Sequence, residues 1–146
     1  MPRIQVVRLD PDLVLPSYAR PGDGAMDLVS RVDATLGPKG GRALLGTGLS
    51  IALPDGWAGL VLSRSGLAAK HGVCVLNSPG LVDSGYRGEI MIPLVNLDSA
   101  MPFEVRRGDR IAQFMAVAVD SVTWAEVEAL DETERGSGGF GHTGIK

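Results

Sequence analysis

Three consecutive segments decide the fold: RALLGTGLSIAL at residues 42–53, PDG at 54–56 and WAGLVL at 57–62. Both outer runs are apolar and bounded by turn formers, the pattern of strands, and Asp55-Gly56 is a hairpin signature. The expectation is therefore two strands paired through a tight turn. Working outward, similar runs recur at residues 3–9, 73–76, 89–97 and 110–119. The last two are almost continuously apolar, as expected of strands covered on both faces, and Pro93 inside one of them suggests an edge position or a bulge. Residues 65–70 read as a single helical turn, and residues 124–130 fit either helix or strand. Short strands at this spacing predict an all-β sandwich, barrel or jelly roll.

The bulk numbers agree. The chain has 146 residues, enough for one domain, with 20 Gly and 9 Pro and a hydrophobic content of 45%. Gly and Pro in that quantity exclude a long helical bundle, and the apolar content excludes wholesale disorder. A net charge of −3 provides no global basic field for nucleic acid, so a polyanionic partner would need local arginines or a metal ion. No apolar run reaches the roughly 18 residues of a membrane span. The single cysteine, Cys74, cannot form an internal disulfide and fits a reducing cytoplasm. Residues 135–146 differ in kind from residues 1–134, being Gly-rich and nearly without core formers. They read as a mobile C-terminal tail on a single β domain.

Five segments carry candidate chemistry. The tail holds Gly136-Ser-Gly138-Gly139-Phe140-Gly141, a literal G-x-G-x-x-G without the strand and helix that a dinucleotide fold requires. Its glycines still let backbone N–H groups approach phosphate oxygens, with Arg135 adding a cation and Thr143 a hydroxyl; a solvated tail is the other reading. Ser63-Arg64-Ser65-Gly66 leads from a strand into the helical turn, where free N–H groups beside Arg64 and the Ser65 hydroxyl would suit an anion, or form an ordinary helix start. Residues 77–89, NSPGLVDSGYRGE, can close as a β-hairpin whose mouth reads a flat heterocycle. In it Asp83 is a candidate general base and Tyr86 a ring for a sugar or base; a structural hairpin with a solvated Asp reads equally well. Asp27 would hold a hydrated metal or cap a turn. Arg107-Gly108-Asp109-Arg110-Ile111-Ala112-Gln113 places charge before a buried strand, with a surface Asp–Arg pair as its plain reading.

Taken in order, these segments resemble the motifs of the trimeric dUTPases, the deoxyuridine triphosphate nucleotidohydrolases, from Asp27 to Gly144. The resemblance implies a jelly-roll-like subunit in a homotrimer, with sites at subunit interfaces closed by the tail. It implies hydrolysis of dUTP to dUMP and pyrophosphate by water attack on the α-phosphorus, limiting uracil in DNA and supplying dUMP. Asn77 and the hairpin backbone would read uracil, and Tyr86 would pack under the deoxyribose and exclude a 2′-hydroxyl. Asp83 would deprotonate the attacking water. Arg64, Ser65, Gly66 and Gln113 would bind phosphates, Arg135 the terminal one, and Phe140 would stack on uracil. Asp27 would support the water shell of Mg²⁺ on the triphosphate.

Ser63, Gly24-Ala25 and His142 depart from the usual family pattern; the last would lie near the phosphates, where its protonation would tighten nucleotide binding. His71 reads as a surface residue. Two alternatives are a dCTP deaminase on the same fold and a non-catalytic nucleotide-binding trimer. The deaminase would need a glutamate ten residues beyond Asp83, where Pro93 stands; the binder has no need of Asp83, Arg64 and the tail aromatic together.

Overall fold

A computed structural model describes residues 2–139. Ten strands and one helix follow in the order β1 (Gln5–Arg8), β2 (Met26–Val29), β3 (Ala34–Leu36), β4 (Gly41–Ala52), β5 (Trp57–Leu62), α1 (Ser65–His71), β6 (Val73–Val75), β7 (Gly80–Val82), β8 (Glu89–Asn96), β9 (Phe103–Val105) and β10 (Arg110–Ala118). Eight of them form two four-stranded sheets, β1-β4-β8-β6 and β2-β10-β5-β7, and β3 pairs with β9 in a small third sheet. Every paired neighbour is antiparallel. The all-β class that the apolar runs predict thus forms as a sandwich, of the jelly-roll-like kind that the family resemblance implies.

The core lies between the sheets. Leu45, Leu49 and Ile51 of β4 and Ile90, Ile92 and Leu94 of β8 meet Leu28, Val61, Ile111, Ala112 and Phe114 from the other sheet. Ile92 and Leu94 are wholly buried. Burying side chains of this kind contributes roughly 1.5–3 kcal/mol each. Alternation along β8 puts Ile90, Ile92 and Leu94 inward while Met91 stays exposed and Pro93 half-buried.

The expected pairing at residues 42–62 is not what forms. β4 and β5 lie in different sheets, and residues 54–56 carry the chain from one sheet to the other. The turn itself is present: the Trp57 N–H donates to the Pro54 carbonyl at 3.2 Å, and Gly56 has a φ of +77°, which its missing Cβ permits. Turn chemistry is local, whereas the strand partners are selected by burial. β4 gains two neighbours, β1 and β8, that cover its long apolar run, and β5 gains β7 and β10.

Pro93 departs from the expectation in an instructive way. β8 is an interior strand, yet the Leu76 N–H donates to the Pro93 carbonyl at 2.8 Å just past the end of β6. A strand residue's N and O point to the same side, so the absent N–H of Pro93 falls where the β6 ladder stops. The other predicted strands stand within one or two residues of their expected ends, and α1 extends one residue further, to His71. Residues 124–130 form neither helix nor strand.

Candidate active site

The segment after β6 turns twice. Its Ser78–Pro79 peptide is cis. β7 then pairs with β5, placing Gly80 opposite Val61 and Val82 opposite Gly59. Residues 77–89 therefore do not pair with themselves as a hairpin, because β7 buries Val82 by joining the β5 sheet. Beyond β7 the Tyr86 N–H closes a turn onto the Asp83 carbonyl at 3.1 Å. Asn77, Asp83 and Tyr86 thereby line one cavity of about 180 Å³, with Gly80, Leu81 and Met91. Asp83 is exposed and makes no side-chain hydrogen bond among the described residues, so its oxygens are available to a ligand or water. Tyr86 is 44% exposed, and its hydroxyl donates to the Glu89 carbonyl at 2.8 Å.

A second set of predicted residues converges on Asp27. The Arg64 Nε donates to Asp27 Oδ1 at 3.0 Å, the Gln113 Nε2 reaches the same oxygen at 3.5 Å, and Arg110 Nη1 donates to Oδ2 at 3.3 Å. β-Pairing accounts for this, since Gln113 stands opposite Asp27 on one side and opposite Leu62, two residues before Arg64, on the other. Arg64 is held a second time, by its Nη1 donating to the Arg110 carbonyl at 2.9 Å. It occupies the position before α1, with no side-chain cap, and Ser65 and Gly66 follow exposed in the first turn. A Cβ on Gly66 would meet nothing within 4 Å, so packing within the chain does not demand glycine there. Arg110, expected in a surface pair with Asp109, instead joins this cluster on Asp27. Asp27 and Gln113 also line a further cavity, of about 410 Å³, with Ser17, Asp23 and Gly24.

Among the described residues no three carboxylates, histidines or cysteines converge on a metal position. The described residues thus offer no such cluster to hold a cation directly. Asp27 has about four acceptor sites on its two oxygens and three donors upon them, which leaves room for one hydrogen bond from a metal-bound water.

In the tail, the Arg135 Nε donates to the Gly138 carbonyl at 3.0 Å and the Gly138 N–H returns to the Arg135 carbonyl at 3.1 Å. Arg135 and Gly139 are exposed, and among the described residues no hydrogen bond ties either to Asp83 or Asp27. Phe140, His142 and Thr143 lie outside the described residues. His71, read as a surface residue, is exposed but packs its ring on Phe103, with centroids 5.2 Å apart.

These two separate groups, an open carboxylate in a cavity with a ring and an arginine cluster around Asp27, lie in a chain whose residues 12–144 match the dUTPase family model. The chain belongs to the dUTPase family. It is 54% identical over 142 residues to a deoxyuridine 5′-triphosphate nucleotidohydrolase of Thermobifida fusca, covering 97% of this chain and 79% of that one. Among solved structures it resembles the dUTPase of Staphylococcus bacteriophage 80alpha with dUPNHPP, with a TM-score of 0.90, 25% identity, and coverage of 98% of this chain and 99% of that one. The dUTPase of phage phi11 of S. aureus shares the fold, with a TM-score of 0.81 at 22% identity over 89% of this chain and 99% of that one. That phage protein's structure is described as coordinating a structural Mg(II) ion. The deaminase and the non-catalytic binder are not favoured by these relatives.

Proposed function

We propose that the chain hydrolyses dUTP to dUMP and pyrophosphate by attack of water on the α-phosphorus, in the cavity lined by Asp83, Asn77 and Tyr86. The observation that carries the reading is that cavity: it joins an unengaged carboxylate, an amide and an aromatic ring in one space of about 180 Å³. Asp83 accepts the proton of the attacking water and orients it. Asn77 and neighbouring backbone read the uracil edge, and Tyr86 packs under the sugar where a ribose 2′-hydroxyl would have to stand.

The triphosphate runs toward Arg64, Ser65, Gly66 and Gln113. A triphosphate carries about four negative charges, so fixed cations and N–H dipoles must replace the field that the protein's net charge of −3 lacks. Mg²⁺, when carried on the triphosphate, supplies charge neutralisation. Asp27 would support that ion through a hydrogen bond to its water, while keeping Arg64 aligned. The tail from residue 135 to 146, with Arg135, Gly138, Gly139, Phe140 and Thr143, closes over base and phosphates and excludes bulk water.

The active form on this reading is a homotrimer. What supports it is the apolar surface left open in one chain: Trp124 is 96% exposed and Leu130 85%, on a segment without regular structure. Leu81 and Met91, at the mouth of the cavity, are exposed too. A cytoplasmic setting agrees with the free, half-buried Cys74, and no described helix is long and apolar enough to cross a membrane.

Pyrophosphate release from dUTP, dCTP, dTTP and UTP with Mg²⁺ tests the proposal. Turnover selective for dUTP is expected, and ammonia release from dCTP, or no turnover of any nucleotide, refutes it.

A further inference from the structure

Between Gly46 and Ser50 the β4–β8 ladder slips: Gly46 faces Met91 and Ser50 faces Glu89, so three β4 residues stand against Ile90 alone. Such a bulge leaves backbone groups without ladder partners, and side chains supply them here. The Thr47 hydroxyl donates to the Ile90 carbonyl at 2.9 Å. Glu89 does more. Its Oε1 accepts the Gly48 N–H at 2.8 Å and forms an ion pair with the Arg31 Nε 3.2 Å away, in a side chain only 15% exposed. Room for this ion pair comes from Gly46, where a Cβ would collide with Glu89 Oε1 and lie 3.2 Å from Arg31 Nε. The Arg31 N–H meanwhile donates to the Gly46 carbonyl at 2.9 Å, so both partners are tied to the bulge.

The same Glu89 presents its carbonyl to the Tyr86 hydroxyl at 2.8 Å. A Cβ at the neighbouring Gly88 would collide with that hydroxyl and with the ring Cζ. Two contacts therefore bear on the position of the phenol: the bare Gly88 and the Glu89 carbonyl. With 44% of its surface in solvent, the ring depends on that hydrogen bond more than a buried ring would.

We propose that Arg31 and Glu89 are positioning residues for Tyr86 and through it set the preference for 2′-deoxyribose over ribose. The inference rests on the reading of Tyr86 as the sugar platform. The ion pair fixes the start of β8 on the β4 bulge, the Glu89 carbonyl fixes the phenol, and the ring face then occupies the space that a 2′-hydroxyl needs. With the pair broken, the strand start loosens and the ring withdraws, which admits ribose more than it harms deoxyribose. Neither Arg31 nor Glu89 need touch the nucleotide.

The test measures kcat/KM for dUTP and UTP in Glu89→Gln, Arg31→Ala, the double variant and Tyr86→Ala, each confirmed folded by circular dichroism. Glu89→Gln keeps an acceptor for the Gly48 N–H, so the bulge survives while the ion pair is lost. The dUTP:UTP ratio is expected to fall about tenfold in each single variant, the scale of one misplaced contact against a hydroxyl. It should fall no further in the double variant, because both remove one interaction. A ratio unchanged in Glu89→Gln and Arg31→Ala but lowered in Tyr86→Ala overturns the positioning role and leaves the platform standing. Equal losses for both nucleotides, with the ratio intact, reduce the pair to a purely structural one and overturn it likewise. A ratio unchanged in Tyr86→Ala overturns the platform, and the positioning role with it.

Discussion

Replacing Asp27 by Asn tests whether Arg64 is aligned for phosphate by that carboxylate. The substitution keeps the shape and removes the charge to which Arg64, Arg110 and Gln113 all donate. At 3.0 Å the Arg64 pair has a gross attraction of about 5.5 kcal/mol at an effective dielectric of about 20, and about 1.4 kcal/mol in bulk water. The two side chains are 24% and 26% exposed, so water screens part of this and desolvation offsets more. A net contribution of about 1 kcal/mol remains. Stability should fall by that amount, which for a chain of this size lowers Tm by about 2–4 °C. The functional effect should be larger than the stability effect implies, because Arg64 keeps its bond to the Arg110 carbonyl but at best a weaker, neutral one to the substituted amide, so the nucleotide itself must supply more of its ordering. An increase of about fivefold in KM for dUTP is expected, near 1 kcal/mol of ordering for a long side chain. The assay is a double-mutant cycle with Arg64→Ala, reading kcat/KM by pyrophosphate release and stability by thermal melting. If Asp27 acts through Arg64, the double variant should be little worse than Arg64→Ala alone. Fully additive losses would refute the alignment and leave Asp27 and Arg64 as independent contributors.

Asp83→Asn should retain nucleotide binding by calorimetry while losing at least about a hundredfold in kcat, the usual scale of general-base removal; near-normal turnover would exclude Asp83 as the base. Gly88→Ala should push the Tyr86 ring off the Glu89 carbonyl, costing about 1 kcal/mol of stability and lowering the dUTP:UTP preference, as kinetics on the two nucleotides would reveal. Backbone N–H groups of Met101 and Ala100 hold the Asp98 carboxyl below its ordinary value of 3.8. Its stabilising contribution is thus complete well above pH 3.8 and fades as pH falls below it, through the lowered folded value. Asp98→Ala should accordingly melt lower than the parent at pH 7, with the gap closing in acid; a gap that widens in acid contradicts the sign. Mixed trimers of Asp83→Asn chains and chains ending at Arg135 should recover activity if one site combines an Asp83 and a tail from different subunits. No recovery after confirmed subunit exchange would assign both to one chain.

Long apolar runs made β4, β5, β8 and β10 legible in the sequence, because a strand that must be buried on its own account advertises itself by composition. β2, β3, β7 and β9 are three or four residues long and carry too little pattern to be told from loops. MDLV at residues 26–29 contains a carboxylate, and it is a strand because β10 offers it a partner. Partnership is a long-range property, and the same limit explains the turn at residues 54–56. Asp55-Gly56 announced a reversal of direction, but whether a reversal pairs two strands or passes between sheets depends on which neighbours bury them better.

The unexpected contact of Arg110 with Asp27 has a geometric cause. Arg110 and Gln113 are three apart, and in a regular strand residues at that spacing point to opposite faces. The register of β10 on β2 slips between Arg110 and Ala112: Arg110 faces Val29, Ala112 faces Leu28 and Gln113 faces Asp27. One extra residue on β10 restores the parity, so both side chains reach the same carboxylate from the same side. The neighbouring Asp109 is meanwhile engaged by the Arg106 N–H at 2.8 Å, which removes the surface pair that adjacency suggested. A bulge of this kind carries no residue-type signature at Ile111, which is simply a buried apolar side chain. Motif spacing could therefore identify Gln113 but not its neighbour, since the parity that brings Arg110 to the site resides in the pairing of two strands more than eighty residues apart.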